Sequence, residues 1–191
     1  MIRVFEPRLT LSDKFSVLRS VFSNNISGTS PTVADFESDL ADNFERKYAI
    51  AVSNGSTALD LAFQSLDLKK GDEVITTVFT CTATNIPLLY MGVKIKFADI
   101  DVSTMNISIE SVKKLISKKT KAIICVHYGG LPCDMDELQK IANKYRIPII
   151  EDAAHALGAK YNNKPIGSIS DFTTFSFQAI KHFTTGDGGM L

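Results

Sequence analysis

Short runs of β-branched and aliphatic residues alternate along the chain with segments in which apolar side chains recur every three or four positions. The first pattern suits strands buried on both faces, and the second suits helices that bury one stripe. Strands are predicted at about residues 48–53, 73–76, 94–98, 122–126, 147–151 and 172–177. Helices are predicted over about 57–66, 83–91, 109–117 and 134–145, and earlier from Thr32, where Val33, Phe36, Leu40 and Phe44 fall on one face. Such alternation predicts crossover units, a largely parallel sheet and helices on both faces, a three-layer α/β/α architecture. Residues 1–31 read as a leader, helical around 12–22 and then turn-forming through Ser23-Asn-Asn-Ile-Ser-Gly-Thr-Ser-Pro31.

Open sheets of this kind gather ligands at the carboxyl ends of their strands, so the residues just past each strand matter most. Three such clusters contain polar chemistry. Ser53-Asn-Gly-Ser-Thr57 leads from a strand into a helix, where glycine admits close backbone approach and free N–H groups with the Ser56 and Thr57 hydroxyls suit an anion. The same residues also suit a plain helix cap. Glu151-Asp152-Ala-Ala-His155 follows the apolar Ile147-Pro-Ile-Ile150, so Asp152 emerges partly desolvated and needs a positive or proton-donating partner. Both Asp152, as a cap, and His155, as a packed histidine, also have structural readings. Phe175-Ser-Phe-Gln-Ala-Ile-Lys181 sets a lysine in an apolar, aromatic segment, with Ser176 five residues upstream and Gly186-Asp-Gly-Gly189 just downstream.

An anion cradle, an aspartate and a lysine in apolar surroundings together meet the needs of pyridoxal 5′-phosphate, whose phosphate, ring nitrogen and aldehyde call for those three groups. Composition adds little to this. Lys plus Arg and Asp plus Glu number 21 each in 191 residues, which gives no basic excess for nucleic acid. No apolar run reaches a membrane span, and residues 1–10 hold no signal-peptide core, so a cytoplasmic protein is expected. Cys81, Cys125 and Cys133 lack a metal-binding spacing and read as free thiols, with Cys125 in the core and no metal expected.

Four ordered stretches, Asn54-Gly-Ser-Thr-Ala-Leu59, Gly71-Asp-Glu-Val-Ile75, Glu151-Asp-Ala-Ala-His155 and Phe175 to Lys181 through Thr185-Gly-Asp-Gly-Gly189, resemble the DegT/DnrJ/EryC1/StrS family of sugar aminotransferases. That resemblance implies the fold-type-I, pyridoxal-phosphate-dependent transferase fold, with residues 32–191 as an incomplete large domain and the C-terminal small domain absent. It implies Lys181 as the Schiff-base lysine and proton shuttle, and Asp152 as partner of the pyridine nitrogen. It further implies His155 near the ring hydroxyl, where many relatives have glutamine, and Gly55, Ser56, Thr57 and Ser176 at the phosphate. Cys81 would stand where many relatives stack an aromatic ring on the cofactor, with Phe79 turned into the core. The implied substrates are L-glutamate as amino donor and a nucleotide-linked keto sugar, and the implied assembly is a homodimer. A chain so truncated could instead be a remnant that binds cofactor or a partner chain without turnover.

Overall fold

The structure, a computed structural model, describes residues 7, 9–23 and 25–191. Part of the predicted leader, 1–6 and positions 8 and 24, lies outside them. Helix α1 (Leu11–Phe22) opens with a capping box between Thr10 and Asp13 and buries none of its residues. Helix α2 (Pro31–Asn43) starts on proline, whose missing N–H costs nothing there.

Beyond these come β1 (Ala51–Val52), α3 (Gly55–Ser65), β2 (Glu73–Thr77), α4 (Thr82–Tyr90), β3 (Lys94–Ala98) and α5 (Ile109–Leu115). The chain continues with β4 (Thr120–Val126), α6 (Met135–Tyr145), β5 (Ile149–Asp152), the hairpin β6 (Lys160–Tyr161) and β7 (Lys164–Pro165), β8 (Phe172–Ser176) and β9 (Gly189–Met190). Seven strands form one sheet in the order β1-β9-β8-β5-β4-β2-β3. The run β3-β2-β4-β5-β8 is parallel, as expected, while β9 lies antiparallel between β8 and β1. Strand β5 runs to Asp152, one residue further than predicted, and the glycine-rich turn leads into β9, which was not predicted.

The three layers follow from the alternation of side chains along the central strands. Ile123 and Cys125 of β4 meet Val112 of α5 and Leu138 and Ile141 of α6 on one face. Ala122 and Ile124 meet Leu59 and Phe63 of α3 and Leu88 of α4 on the other. A third cluster secures the β8–β9 end against α2, where Phe44 stacks on Phe175 at 5.3 Å and Phe36 meets Phe177 edge-on at 5.6 Å. Aromatic pairs of this geometry are worth about 0.5–1.5 kcal/mol beyond their buried area. The strand that ends in Ser176 is thereby held against α2.

The start of β2 has a charged lock. Glu73, 5% exposed, accepts the Ser117 hydroxyl at 2.6 Å, with Lys96 Nζ at 3.1 Å and Lys94 Nζ at 3.5 Å. The Ser117 bond, then the two lysines, hold this carboxyl below the ordinary glutamate value of 4.5. Its folded value is the lower one, so its stabilising contribution is present above 4.5 and lost as pH falls through the folded value. Glu73→Gln is expected to lower the melting temperature at pH 7 and to flatten its decline between pH 5 and 3, both read by circular dichroism. Parallel acid profiles in the two proteins would contradict this role.

Candidate active site

Helix α3 begins where the sheet ends. Asn54 caps it by accepting the Thr57 N–H at 2.9 Å, which leaves the Gly55 and Ser56 N–H groups without an intrahelical acceptor. A methyl group on Gly55 would sit 2.9 Å from Cβ of Ser176, so this helix start closes directly on the end of β8. One on Gly189 would sit 2.5 Å from the carbonyl carbon of Asn54 and 2.7 Å from the Gly55 nitrogen. Two glycines thus bring α3, β8 and β9 into contact and form a floor of backbone.

Over this floor lies a cavity of about 410 Å³, lined among others by Gly55, Ser56, Cys81, Asp152, Ser176 and Lys181. The hydroxyls of Ser56 and Ser176 and the Lys181 amine make no hydrogen bond or ion pair with another described residue. Unmatched donors at a helix N-terminus, with its positive end of the dipole, suit an anionic group such as phosphate. Asp152, 6% exposed, enters from the end of β5 and accepts the Thr84 hydroxyl at 2.7 Å and the Ala154 N–H at 3.2 Å. A separate cavity of about 320 Å³ lies beside α2, bounded by Phe44, Tyr48, Phe172 and Met190. Its lining includes neither Asp152 nor Lys181.

Two candidate residues stand off the cavity wall. The Thr57 N–H is taken by the Asn54 cap, and its hydroxyl contacts Asn54 Oδ1 and Ser53 Oγ, both at 3.1 Å. His155 is exposed, with its Nδ1 and Nε2 unpaired among the described residues and Tyr128 edge-on at 6.5 Å. Partial desolvation of the ring, and then the Lys181 charge, pull its imidazole below the ordinary 6.5 against the opposing pull of Asp152. Cys81 lines the cavity at the N-cap of α4, an exposed thiol. Phe79 does not turn into the core as expected. It is half-buried and packs on Tyr128 at 4.5 Å, because β2 ends at Thr77 and the loop beyond it no longer follows strand alternation.

Sequence alone does not reveal the role of Thr84, whose partner Asp152 lies 68 residues away. It also hides a cluster behind the site: Cys125, His127 and Cys133 bring ligand-type atoms within 4.8 Å of one another, despite their irregular spacing. Both ring nitrogens of His127 are engaged, Nε2 with Glu151 at 2.7 Å and Nδ1 by the Cys133 N–H at 3.1 Å. No lone pair of the ring is left for a cation. Glu151, fully buried, also accepts from Ser170 N at 3.1 Å and Thr173 Oγ1 at 3.0 Å, tying β4 to β5 and β8 just behind Asp152.

Residues 11–191 match the DegT/DnrJ/EryC1/StrS aminotransferase family. The chain belongs to this family. GDP-perosamine synthase of Escherichia coli O157:H7 is 40% identical over 190 residues, covering 100% of this chain and 52% of that protein. The spore coat polysaccharide biosynthesis protein SpsC of Bacillus subtilis (strain 168) is 41% identical over 161 residues, 84% of this chain and 41% of its own. Among solved structures, the aminotransferase from Psychrobacter cryohalolentis superposes with a TM-score of 0.92 at 41% identity, over 97% of this chain and 47% of that one. A putative sugar aminotransferase from Streptococcus pneumoniae in its PLP-form gives a TM-score of 0.92 at 32% identity, over 99% and 52%. The chain spans about half the length of the curated relatives it matches. These likenesses agree with the seven-stranded α/β/α fold as that of the fold-type-I aminotransferases.

Proposed function

We propose that this chain holds pyridoxal 5′-phosphate in the 410 Å³ cavity and belongs to an enzyme that moves an amino group from L-glutamate to a nucleotide-linked keto sugar. The observation that carries this reading is the convergence, in one cavity, of unpaired donors at a helix start, a buried aspartate and a lysine with no partner among the described residues. Family relatives named for GDP-perosamine synthesis and spore coat polysaccharide supply the sugar-nucleotide part of the proposal.

The residues present fit the cofactor. When bound, it supplies an aldehyde for covalent attachment and a pyridinium ring that draws electrons from a substrate carbon. Gly55, Ser56 and Ser176 would hold its phosphate, Asp152 the proton on its ring nitrogen and Lys181 its aldehyde carbon. The Lys181 amine would also serve as the base that moves a proton at the substrate carbon. Cys81 lies on the cavity wall and can pack against the ring but offers no π face. His155 would lie toward the ring hydroxyl, and Thr57 would contribute through the Asn54 cap rather than by touching the phosphate. The presence of lysine at position 181 speaks against the dehydratase branch implied by the family resemblance, in which histidine stands there. A homodimer is the expected assembly, and no helix among the described residues is long and apolar enough to cross a membrane.

A chain that binds the cofactor without turnover is the reading from which this one must be separated. The test of the first step is borohydride reduction after incubation with pyridoxal 5′-phosphate, followed by peptide mapping. The expected label lies on Lys181, and label on any other lysine overturns the assignment. L-glutamate-dependent conversion of the bound cofactor to its amino form then separates the enzyme from the non-catalytic binder.

A further inference from the structure

We propose that Thr84, backed by Thr80, is a positioning residue that fixes the Asp152 carboxylate toward the ring nitrogen of the bound cofactor. This rests on the pyridoxal-phosphate reading above and extends it to a side chain that does not line the cavity.

An aspartate carboxylate rotates about a broad, nearly two-fold torsion, so packing alone does not set its plane. Hydrogen bonds must do so. Oδ1 of Asp152 accepts the Ala154 N–H at 3.2 Å, a local turn contact two residues along the chain. Oδ2 accepts the Thr84 hydroxyl at 2.7 Å, across 68 residues. The Ala154 bond is long and the Thr84 bond short, so Thr84 supplies the firmer constraint.

The direction of the network follows from proton counting. A hydroxyl has one proton to give, and a carboxylate oxygen accepts it. With the Thr84 proton committed to Asp152, the 2.8 Å contact between Thr80 and Thr84 must be donated by Thr80. The relay therefore runs from Thr80 to Thr84 to Asp152. Thr84 is 0% exposed, so water does not compete for its hydroxyl, and its branched Cβ leaves few rotamers open. It sits in the first turn of α4. Each carboxylate oxygen thus has one protein donor, and Asp152 itself lines the cavity.

Thr84→Val keeps the volume and removes the hydroxyl, so Oδ2 loses its donor and Thr80 its acceptor. The readout is the ring-nitrogen chemical shift of ¹⁵N-labelled pyridoxal 5′-phosphate bound to the chain at pH 7, together with the dissociation constant of the cofactor. Expected are a shift from the protonated toward the neutral nitrogen position in Thr84→Val, about tenfold weaker binding, the scale of one lost hydrogen bond to a charged group, and restoration of both by Thr84→Ser. Thr84→Ala, read in the same way, keeps the test open should the valine variant fail to fold. A protonated nitrogen in Thr84→Val and Thr84→Ala, as in the natural chain, overturns the positioning role and leaves the cofactor reading intact. Absence of a Lys181-linked cofactor in the natural chain overturns the cofactor reading itself, and the positioning role with it.

Discussion

Replacing Lys181 with alanine is expected to abolish borohydride-stable attachment of pyridoxal 5′-phosphate while leaving stability within about 0.5 kcal/mol of the natural chain. The stability side follows from what the side chain does not do. Lys181 is half-buried, its backbone N–H bonds Gln178 at 2.9 Å, and its amine has no hydrogen bond or ion pair with another described residue. Alanine preserves the backbone bond and removes only the stem and the unpaired charge. The chemical side is far larger. A positioned general base contributes about 10²–10⁴-fold to a proton transfer, so single-turnover amination of the cofactor by L-glutamate should fall by at least about 10²-fold. Retained covalent label, or a single-turnover rate within threefold of the natural chain, would remove Lys181 from the proposed chemistry. Loss of label with an unchanged melting curve is the pattern that separates a reactive residue from a structural one.

The elements that carry Lys181 and its neighbours were legible because each ends a strand whose apolar run is read directly from the sequence. Asp152 closes β5 and Ser176 closes β8, so the rule that sites lie at carboxyl ends of strands reaches both of them. Gly55 and Ser56 are reached the same way through β1, although only Ala51–Val52 of the predicted 48–53 forms a strand. What the sequence does not display are features fixed by tertiary contact. The two-residue strand β9 is too short for any period, and its glycine reads as turn. The hairpin β6–β7 turns on Asn162 and Asn163 at φ of 48° and 66°, a left-handed pair that asparagine tolerates but that lies inside no hydrophobic pattern. Thr84 and Asp152 are 68 positions apart, and neither periodicity nor composition links them. For Thr57 the two readings of a hydroxyl at a helix start, ligand contact or cap, look alike in sequence, and the fold engages its N–H and hydroxyl with Asn54.

The backbone floor makes the second large effect a matter of packing rather than chemistry. Gly189→Ala is expected to lower the melting temperature by about 5–10 °C, the upper part of the 1–3 kcal/mol typical of overpacking. The new methyl group would meet the carbonyl carbon and oxygen of Asn54 at 2.5 and 2.6 Å and the Gly55 nitrogen at 2.7 Å. All three are backbone atoms, so no side-chain rotation relieves the contact. Gly189 is also held in register on both sides, opposite Val52 of β1 and Ser176 of β8. Relief therefore requires either a break in the β1-β9-β8 ladder or movement of the α3 N-terminus away from it. Both displace Gly55 from Ser176, the two residues proposed to share the phosphate, so cofactor affinity should fall together with stability and by at least about tenfold, the scale of one lost charged hydrogen bond. Gly28→Ala is the matched control, since its added carbon meets nothing within 4 Å and its backbone is not left-handed. Thermal denaturation and a pyridoxal-phosphate titration on both variants decide the matter: a Gly189→Ala chain that melts and binds like Gly28→Ala would mean that this floor has slack, and that the close approach of α3 to β9 does not shape the cradle.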